Sequence, residues 1–327
     1  MDEVCEALGV STATVSRVLN NKPGVGAELR KKVLAAVKEL NYVPRAAARQ
    51  LSSAKSDTLG IAFQDLTAGW LLTIFRGIIN RAAGRYHVIT SISVREGDEY
   101  EVPSRILAER RVDGLIWLDP RISPPLIKRM KTQPVPFVVL QRQVADPEIN
   151  TIAIDSAQGA REATLHLLKQ GYRKLLFLTG PRDDADSLLK LEGVHRALQE
   201  LNVEIPADSI LEGHHVGAHA VRTLSDHLAA GKPLPEAIFA FNDAMAIAVL
   251  HWLRGRGVRV PQDVALIGFD GIDEARHVGL TTLETPMYEM GVLAAQVLMD
   301  LIEAPASERK AKQLVLKGNL VIRETCA

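Results

Sequence analysis

The chain is poor in cysteine, and its positive and negative charges cancel. Two cysteines, Cys5 and Cys326, among 327 residues exclude the disulfide framework of small secreted domains and point to a reducing compartment. No stretch approaches the roughly 18 apolar residues of a membrane span, and no apolar run near Met1 has the form of a secretory signal. The expected location is therefore the cytoplasm, with no membrane partner. Lys+Arg and Asp+Glu number 39 each, so the chain as a whole is no polycation. GxSxG, HExxH, a Walker A loop and GxGxxG in a strand-turn-helix context are all missing, which leaves the common enzyme classes without a motif. His214, His215 and His219 offer helix-like metal spacing, yet no metal or cofactor is expected.

What is present is globular. Apolar residues make up 47% and charged residues 24%, ample for a sizeable core, and the length suggests two or so domains. The charge is uneven along the chain: residues 1–52 carry a net +3 and the remainder −3. A basic head on a mildly acidic body suits nucleic-acid contact at one end.

Within the head, Val4, Cys5, Leu8, Val10, Val15, Val18 and Leu19 fall at helical spacings broken at Gly9. That pattern predicts two short helices joined by a tight turn, with Ser11 capping the second. Pro23 and Gly24 end the pair. A third amphipathic helix is expected over 27–40, burying Leu29, Val33, Val37 and Leu40.

The run Gly9-Val10-Ser11-Thr12-Ala13-Thr14-Val15-Ser16-Arg17-Val18-Leu19-Asn20, followed by Leu40-Asn41-Tyr42-Val43-Pro44 and Ala47-Ala48-Arg49-Gln50-Leu51, resembles the lactose-repressor/galactose-repressor (LacI/GalR) family of bacterial transcription regulators. The resemblance implies that Thr12, Ala13 and Arg17 face base edges in a major groove. Ser11, Thr14, Ser16 and Asn20 would mainly hold phosphates. Arg forks onto guanine, and Thr and Ala touch a thymine methyl; small hydroxyls and amides set register on phosphates. Residues 45–52 would form a hinge helix carrying Arg49, with Leu51 as the apolar wedge that kinks the duplex. The chain departs from the family in three places. It begins at Met1-Asp2, so either the start is truncated or Asp2 takes over the first cap. Gly26 stands where a capping Ser is usual, and Arg45 replaces a common Asn.

From Thr58 onward, apolar runs alternate with helical patterns. Strands are expected at 59–63, 87–92, 114–118, 137–140, 174–179, 237–241 and 264–269, and helices at 70–84, 157–170, 187–201, 217–230 and 243–255. This alternation means parallel sheets with crossover helices, too many for one small sheet. The fold class is α/β: a three-helix helix-turn-helix head (1–44), a hinge helix and linker (45–57), and a two-lobed body (58–327). By the resemblance, the body is type-I periplasmic-binding-protein-like. Lobe 1 would be about 58–155 plus 285–313, and lobe 2 about 156–284 plus 314–327.

In parallel sheets, ligands sit beyond the carboxyl ends of strands. Gln64 and Asp65, Gln141 and Arg142, Asn242 and Asp243, and Asp270 occupy such ends. Amides and carboxylates there suit hydroxyl-rich ligands, although Asn242, Asp243 and Asp270 also fit as helix N-caps. The resemblance puts effector contacts at Asn242 and Asp270, and also at His215 and Met287. Trp70 serves equally as a sugar-stacking wall or as core. Lys190 stands where the family has a frequent Arg, and Lys is a point charge without the planar fork. Gln141 stands where an acidic or amide residue often sits, and the effector is expected to be a sugar or polyol, a sugar acid or a sugar phosphate.

Together these readings describe a homodimeric, allosteric regulator of transcription, a repressor of a near-palindromic double-stranded operator, and not an enzyme. The rivals are a cytoplasmic carbohydrate-binding protein and an enzyme on an α/β sheet, neither with specific DNA recognition.

Overall fold

The structure, a computed structural model, describes residues 2–19, 22–40, 55–63, 69–92, 101–118, 124–142 and 144–326. The chain divides into two compact units, Met1–Ser56 and Asp57–Ala327.

The first unit holds helices α1 (Asp2–Leu8), α2 (Thr12–Leu19) and α3 (Ala27–Glu39). Val4, Val15, Val18, Val33 and Ala36 are buried and ringed by Cys5, Leu8, Val10, Leu19, Leu29 and Val37. Three- and four-residue spacing puts these side chains on the inner stripe of each helix. Gly9 turns the chain at φ +60, a conformation that a residue without Cβ adopts freely. The Ser11 hydroxyl accepts from the Thr14 amide at 3.3 Å, so the cap falls where expected. Gly26 opens α3 with no side-chain cap. The Arg30 guanidinium closes the bundle by donating to the Lys22 carbonyl at 2.8 Å. Leu40 departs from expectation: it is 40% exposed, because it follows the last turn of α3 and the inner stripe has ended. The expected hinge helix lies outside the described residues.

In the second unit, strands β1 (Thr58–Phe63), β2 (His87–Ile92), β3 (Gly114–Leu118), β4 (Phe137–Leu140) and β5 (Asn150–Ile154) form a sheet completed by β11 (Gln313–Leu316). Its order is β11-β5-β4-β3-β1-β2, and every pairing is parallel. The second sheet contains β6 (Leu175–Thr179), β7 (Ile210–Glu212), β8 (Ala237–Ala240), β9 (Ala265–Asp270), β10 (Thr281–Glu284) and β12 (Asn319–Val321). Its order is β12-β10-β9-β8-β6-β7, with only β12 antiparallel. The described helices are α4 (Leu71–Ala82), α5 (Glu101–Ala108), α6 (Pro124–Lys131), α7 (Ser156–Lys169), α8 (Ala185–Glu200), α9 (Gly217–Ala229), α10 (Asp243–Arg254), α11 (Asp273–His277) and α12 (Met287–Glu303). Central strands such as β1, β3 and β8 are buried along their length, as parallel strands covered on both faces must be.

The chain crosses between the sheets three times: from β5 into α7, from β10 into α12, and from β11 to β12. The last crossing falls at 317–318 rather than at 313–314, because Gln313–Leu316 pairs in register with Thr151–Ile154 of the first sheet. Each crossing leaves from the carboxyl end of a parallel strand. The Asp155 amide donates to the Leu316 carbonyl at 2.8 Å, tying two of the crossings together. Both sheets therefore turn their carboxyl edges toward the same junction.

Under the first sheet, α4 and α12 pack backbone to backbone. A Cβ on Gly291 would lie 2.2 Å from the Ile74 carbonyl oxygen, and one on Gly77 2.2 Å from that of Tyr288. Only hydrogen side chains allow this approach. Gly291→Val is expected to lower the unfolding free energy by about 1–3 kcal/mol through overpacking, read by urea denaturation; an unchanged midpoint would mean that the helices are not held this close.

Candidate functional site

Two surfaces collect the residues singled out by the sequence. The first is the outer face of α2. With Val15 and Val18 locked into the core, Ser11, Thr12, Ala13 and Arg17 are exposed and Thr14 and Ser16 half-buried. The Ser11 and Thr14 hydroxyls lie 3.0 Å apart. A Cβ on Gly24 would lie 3.6 Å from an Arg17 guanidinium nitrogen, so the loop after α2 runs beside the arginine. Asn20, Arg49 and Leu51 lie outside the described residues.

The second surface is the carboxyl edge of the second sheet. Asn242 caps α10, its side-chain oxygen accepting from the Met245 amide at 2.8 Å. Its amide nitrogen donates to the His215 carbonyl at 3.0 Å. The cap reading and the site reading of Asn242 are thus compatible: one end of the amide starts the helix and the other steadies the β7–α9 loop. His215 sits in that loop at φ +60, next to His214 at φ +55, an uncommon conformation for residues with a Cβ. Its Nε2 faces Asp184 Oδ2 at 3.2 Å and Ser187 Oγ at 3.3 Å. Both partners meet the same ring nitrogen, so this is no nucleophile relay, which needs the two nitrogens to serve different groups.

Lys190 is 3% exposed. Its ammonium pairs with Asp186 at 2.6 Å, donates to the Phe241 carbonyl at 2.9 Å and lies 3.9 Å from the Phe269 ring centroid. An ammonium has three donors, and these protein partners occupy it. The charge faces partners inside the lobe in this structure, because Asp186, one turn earlier on α8, sits within reach. Asp186 also accepts from the Ser156 hydroxyl at 2.6 Å, at the start of α7. Asp270 ends β9 at φ +118. Burial holds its carboxyl well above the usual carboxylate range; Lys190 pulls it down, while Asp243 and Asp186 push it up.

On the first lobe, the Gln141 amide nitrogen lies 3.3 Å from the Met287 sulfur. Gln141 adopts φ +59, while Met287 is buried at the start of α12. Trp70 precedes α4 and packs partly against the first-lobe core. The structure thus brings Lys190, His215, Asn242 and Asp270 together on one lobe and pairs Gln141 with Met287 on the other. Gln64 and Asp65 lie outside the described residues.

Sequence reading missed Asp184, Asp186 and Ser187 as partners at this edge. The signal was the acidic start of α8, where Asp184 accepts from the Ser187 amide at 2.8 Å as an N-cap. Among the described residues, no group of three or more His, Cys, Asp or Glu side chains is placed to hold a metal. No described helix is long and apolar enough to cross a membrane.

Burial pushes the Asp184 carboxyl up, but hydrogen bonds from His215 and Ser187 prevail and hold it at about 2, against 3.8 for a free carboxyl. A depressed carboxylate contributes stability above its unfolded pKa and loses it as pH falls through the folded value. Asp184→Asn is therefore expected to cost on the order of 1–2 kcal/mol above about pH 4, after allowance for solvent screening, and progressively less toward pH 2. Urea denaturation of both proteins across that range checks the sign; a difference that grows on acidification would contradict it.

Residues 1–45 match the family model described as bacterial regulatory proteins, lacI family. Residues 164–326 match that of the periplasmic binding protein-like domain. The ribose operon repressor of Escherichia coli (strain K12) is 34% identical, with 96% of each chain covered. The catabolite control protein A of Priestia megaterium is 32% identical, with 95% of each covered. Among solved structures, the lac repressor dimer bound to operator and an anti-inducer superposes with a TM-score of 0.87 at 30% identity, covering 99% of this chain and 97% of that one. A CelR–cellobiose complex gives 0.75 at 28% identity, covering 99% and 98%. With its exposed second-helix face and its two crossed parallel sheets, the chain belongs to the lacI family of bacterial regulatory proteins, DNA-binding regulators of transcription rather than enzymes.

Proposed function

We propose that the protein is a cytoplasmic repressor that binds a near-palindromic operator as a homodimer and is released or tightened by a small effector held between the lobes. The observation that carries this reading is the division of labour on α2. Valines face the core while Ser11, Thr12, Ala13 and Arg17 face solvent, an arrangement that presents polar groups to a groove on a rigid support. Leu72 and Ile79, two turns apart on α4, stay exposed, and a second copy would cover them. The two-fold pair would then match two half-sites about one helical turn apart.

The effector is a sugar or polyol in this reading. With the Lys190 charge paired to Asp186, the edge presents the Asp270 carboxyl and the remaining donor and acceptor capacity of Asn242 and His215 beyond their bonds within the lobe. These favour a ligand rich in hydroxyl donors over a phosphate or a sugar acid. Binding would shift the balance between two arrangements of the lobes, and with it the spacing of the two heads.

Arg17→Ala is expected to weaken specific operator binding by about 1–3 kcal/mol per half-site and to relax base choice there, read by fluorescence anisotropy at fixed salt. Equal loss on every sequence would demote Arg17 to a phosphate contact. Asp270→Ala should abolish the response of DNA binding to added monosaccharides and disaccharides, while operator affinity without sugar stays within about two-fold, less than 1 kcal/mol. A retained response would move the effector site elsewhere.

A further inference from the structure

Asp243 is the first residue of α10, and none of it is exposed. A carboxylate in such a place needs partners for both oxygens. Oδ2 accepts from the Gly271 amide at 2.7 Å and the Ile272 amide at 2.9 Å. Oδ1 accepts from the Thr282 hydroxyl at 2.5 Å. Space for this oxygen comes from β9: a Cβ on Gly268 would lie 2.2 Å from it. In return, the Asp243 backbone amide donates to the Asp270 carboxylate.

The three residues so clamped, Asp270 to Ile272, form an elbow. Asp270 at φ +118 and Gly271 at φ +78 reverse the chain, and a non-glycine residue persists there only where its surroundings over-determine it. The elbow reaches out in two directions. The Asp270 carbonyl accepts from the Thr285 amide at 3.0 Å and the Thr285 hydroxyl at 2.8 Å, on the crossing between β10 and α12. The Ile272 side chain reaches the other lobe, where a Cβ on Gly69 would lie 3.4 Å from it.

We infer that Asp243 is a positioning residue of the effector site: through Gly271, Ile272 and Thr282 it fixes the elbow that aims Asp270 and carries Ile272 to the opposite lobe. The inference rests on reading Asp270 as an effector contact. Asp243 itself touches no ligand. Removing it frees the Gly271 and Ile272 amides and lets the backbone at Asp270 relax out of its left-handed conformation. Asparagine keeps an acceptor for the two amides and offers its NH2 to the Thr282 oxygen, so it rescues most of the clamp.

Hydrogen exchange read by mass spectrometry on the full chain tests the clamp without any ligand. In Asp243→Ala, peptides spanning 270–276 should exchange roughly ten-fold faster or more, the size expected for stranded amides. Asp243→Asn should stay within about three-fold of the parent, and Thr282→Val, which removes one donor, should fall between them. Acceleration spread evenly over α10 and the second sheet, an asparagine variant as fast as the alanine one, or no change would each overturn the inference. If the alanine variant fails to fold, the asparagine and Thr282→Val proteins decide by the same ranking. Calorimetry with D-ribose and cellobiose adds the functional arm. For whichever sugar binds the parent, Asp243→Ala should weaken binding about ten-fold or more, and the Asp243→Ala/Asp270→Ala pair should bind no worse than Asp270→Ala alone. Additive losses would overturn the positioning role. Binding of neither sugar would count against the effector reading, while the exchange ranking still judges the clamp.

Discussion

The constraint on which the body depends is that its chain passes three times between two parallel sheets, always from the carboxyl end of a strand. Parallel pairing demands a crossover for each strand, and here three of those crossovers change sheet. The result forces both carboxyl edges, with their loop residues, onto one junction. Any group that binds at that junction touches both lobes and the connections that relate them. This is why the candidate contacts Asn242, Asp270, Gln141 and Met287 all lie at strand ends or at the residues just beyond them.

Around that junction the charges are arranged in mutual support. Lys190 balances Asp186, and Asp186 holds Ser156 at the first crossing. Asp243 and the Asp270 elbow hold Thr285 at the second. Burial pushes the Asp243 carboxyl up to about 6 even with three donors facing it. In the head the logic is simpler: five buried aliphatic residues hold α2 so that its polar face can meet a groove without rearrangement.

The central strands were legible in the sequence because runs such as LGIAF, GLIWL and FVVL have no other use than burial on both faces. Others hid behind their polarity. β10 begins with Thr281 and Thr282, both fully buried, and their hydroxyls are satisfied by the Arg323 carbonyl at 3.1 Å and by Asp243. A hydroxyl that finds its partner some 40 residues away leaves no local trace. β11 reads as a weak edge strand, exposed on alternate residues and half-buried between them, so its pattern carries little sign of which sheet it joins. Lys190 was legible as an unusual cation, but not its surroundings: Asp186 stands at a familiar i, i+4 spacing, whereas the Phe241 carbonyl, just past β8, and the Phe269 ring of β9 lie far along the chain. The cap at Ser11 and the exposure of the polar side of α2 depend on neighbours within a few residues, which a sequence carries directly.

The central claim is that a metabolite between the lobes governs sequence-specific DNA reading by the head. Footprinting of the full chain on genomic fragments, at moderate salt and with a panel of sugars and polyols added one at a time, tests it most directly. The account predicts a two-fold symmetric protected segment whose occupancy changes with at least one compound and not with the rest. Uniform, salt-sensitive coverage of all fragments, or a symmetric footprint that no compound alters, would contradict it.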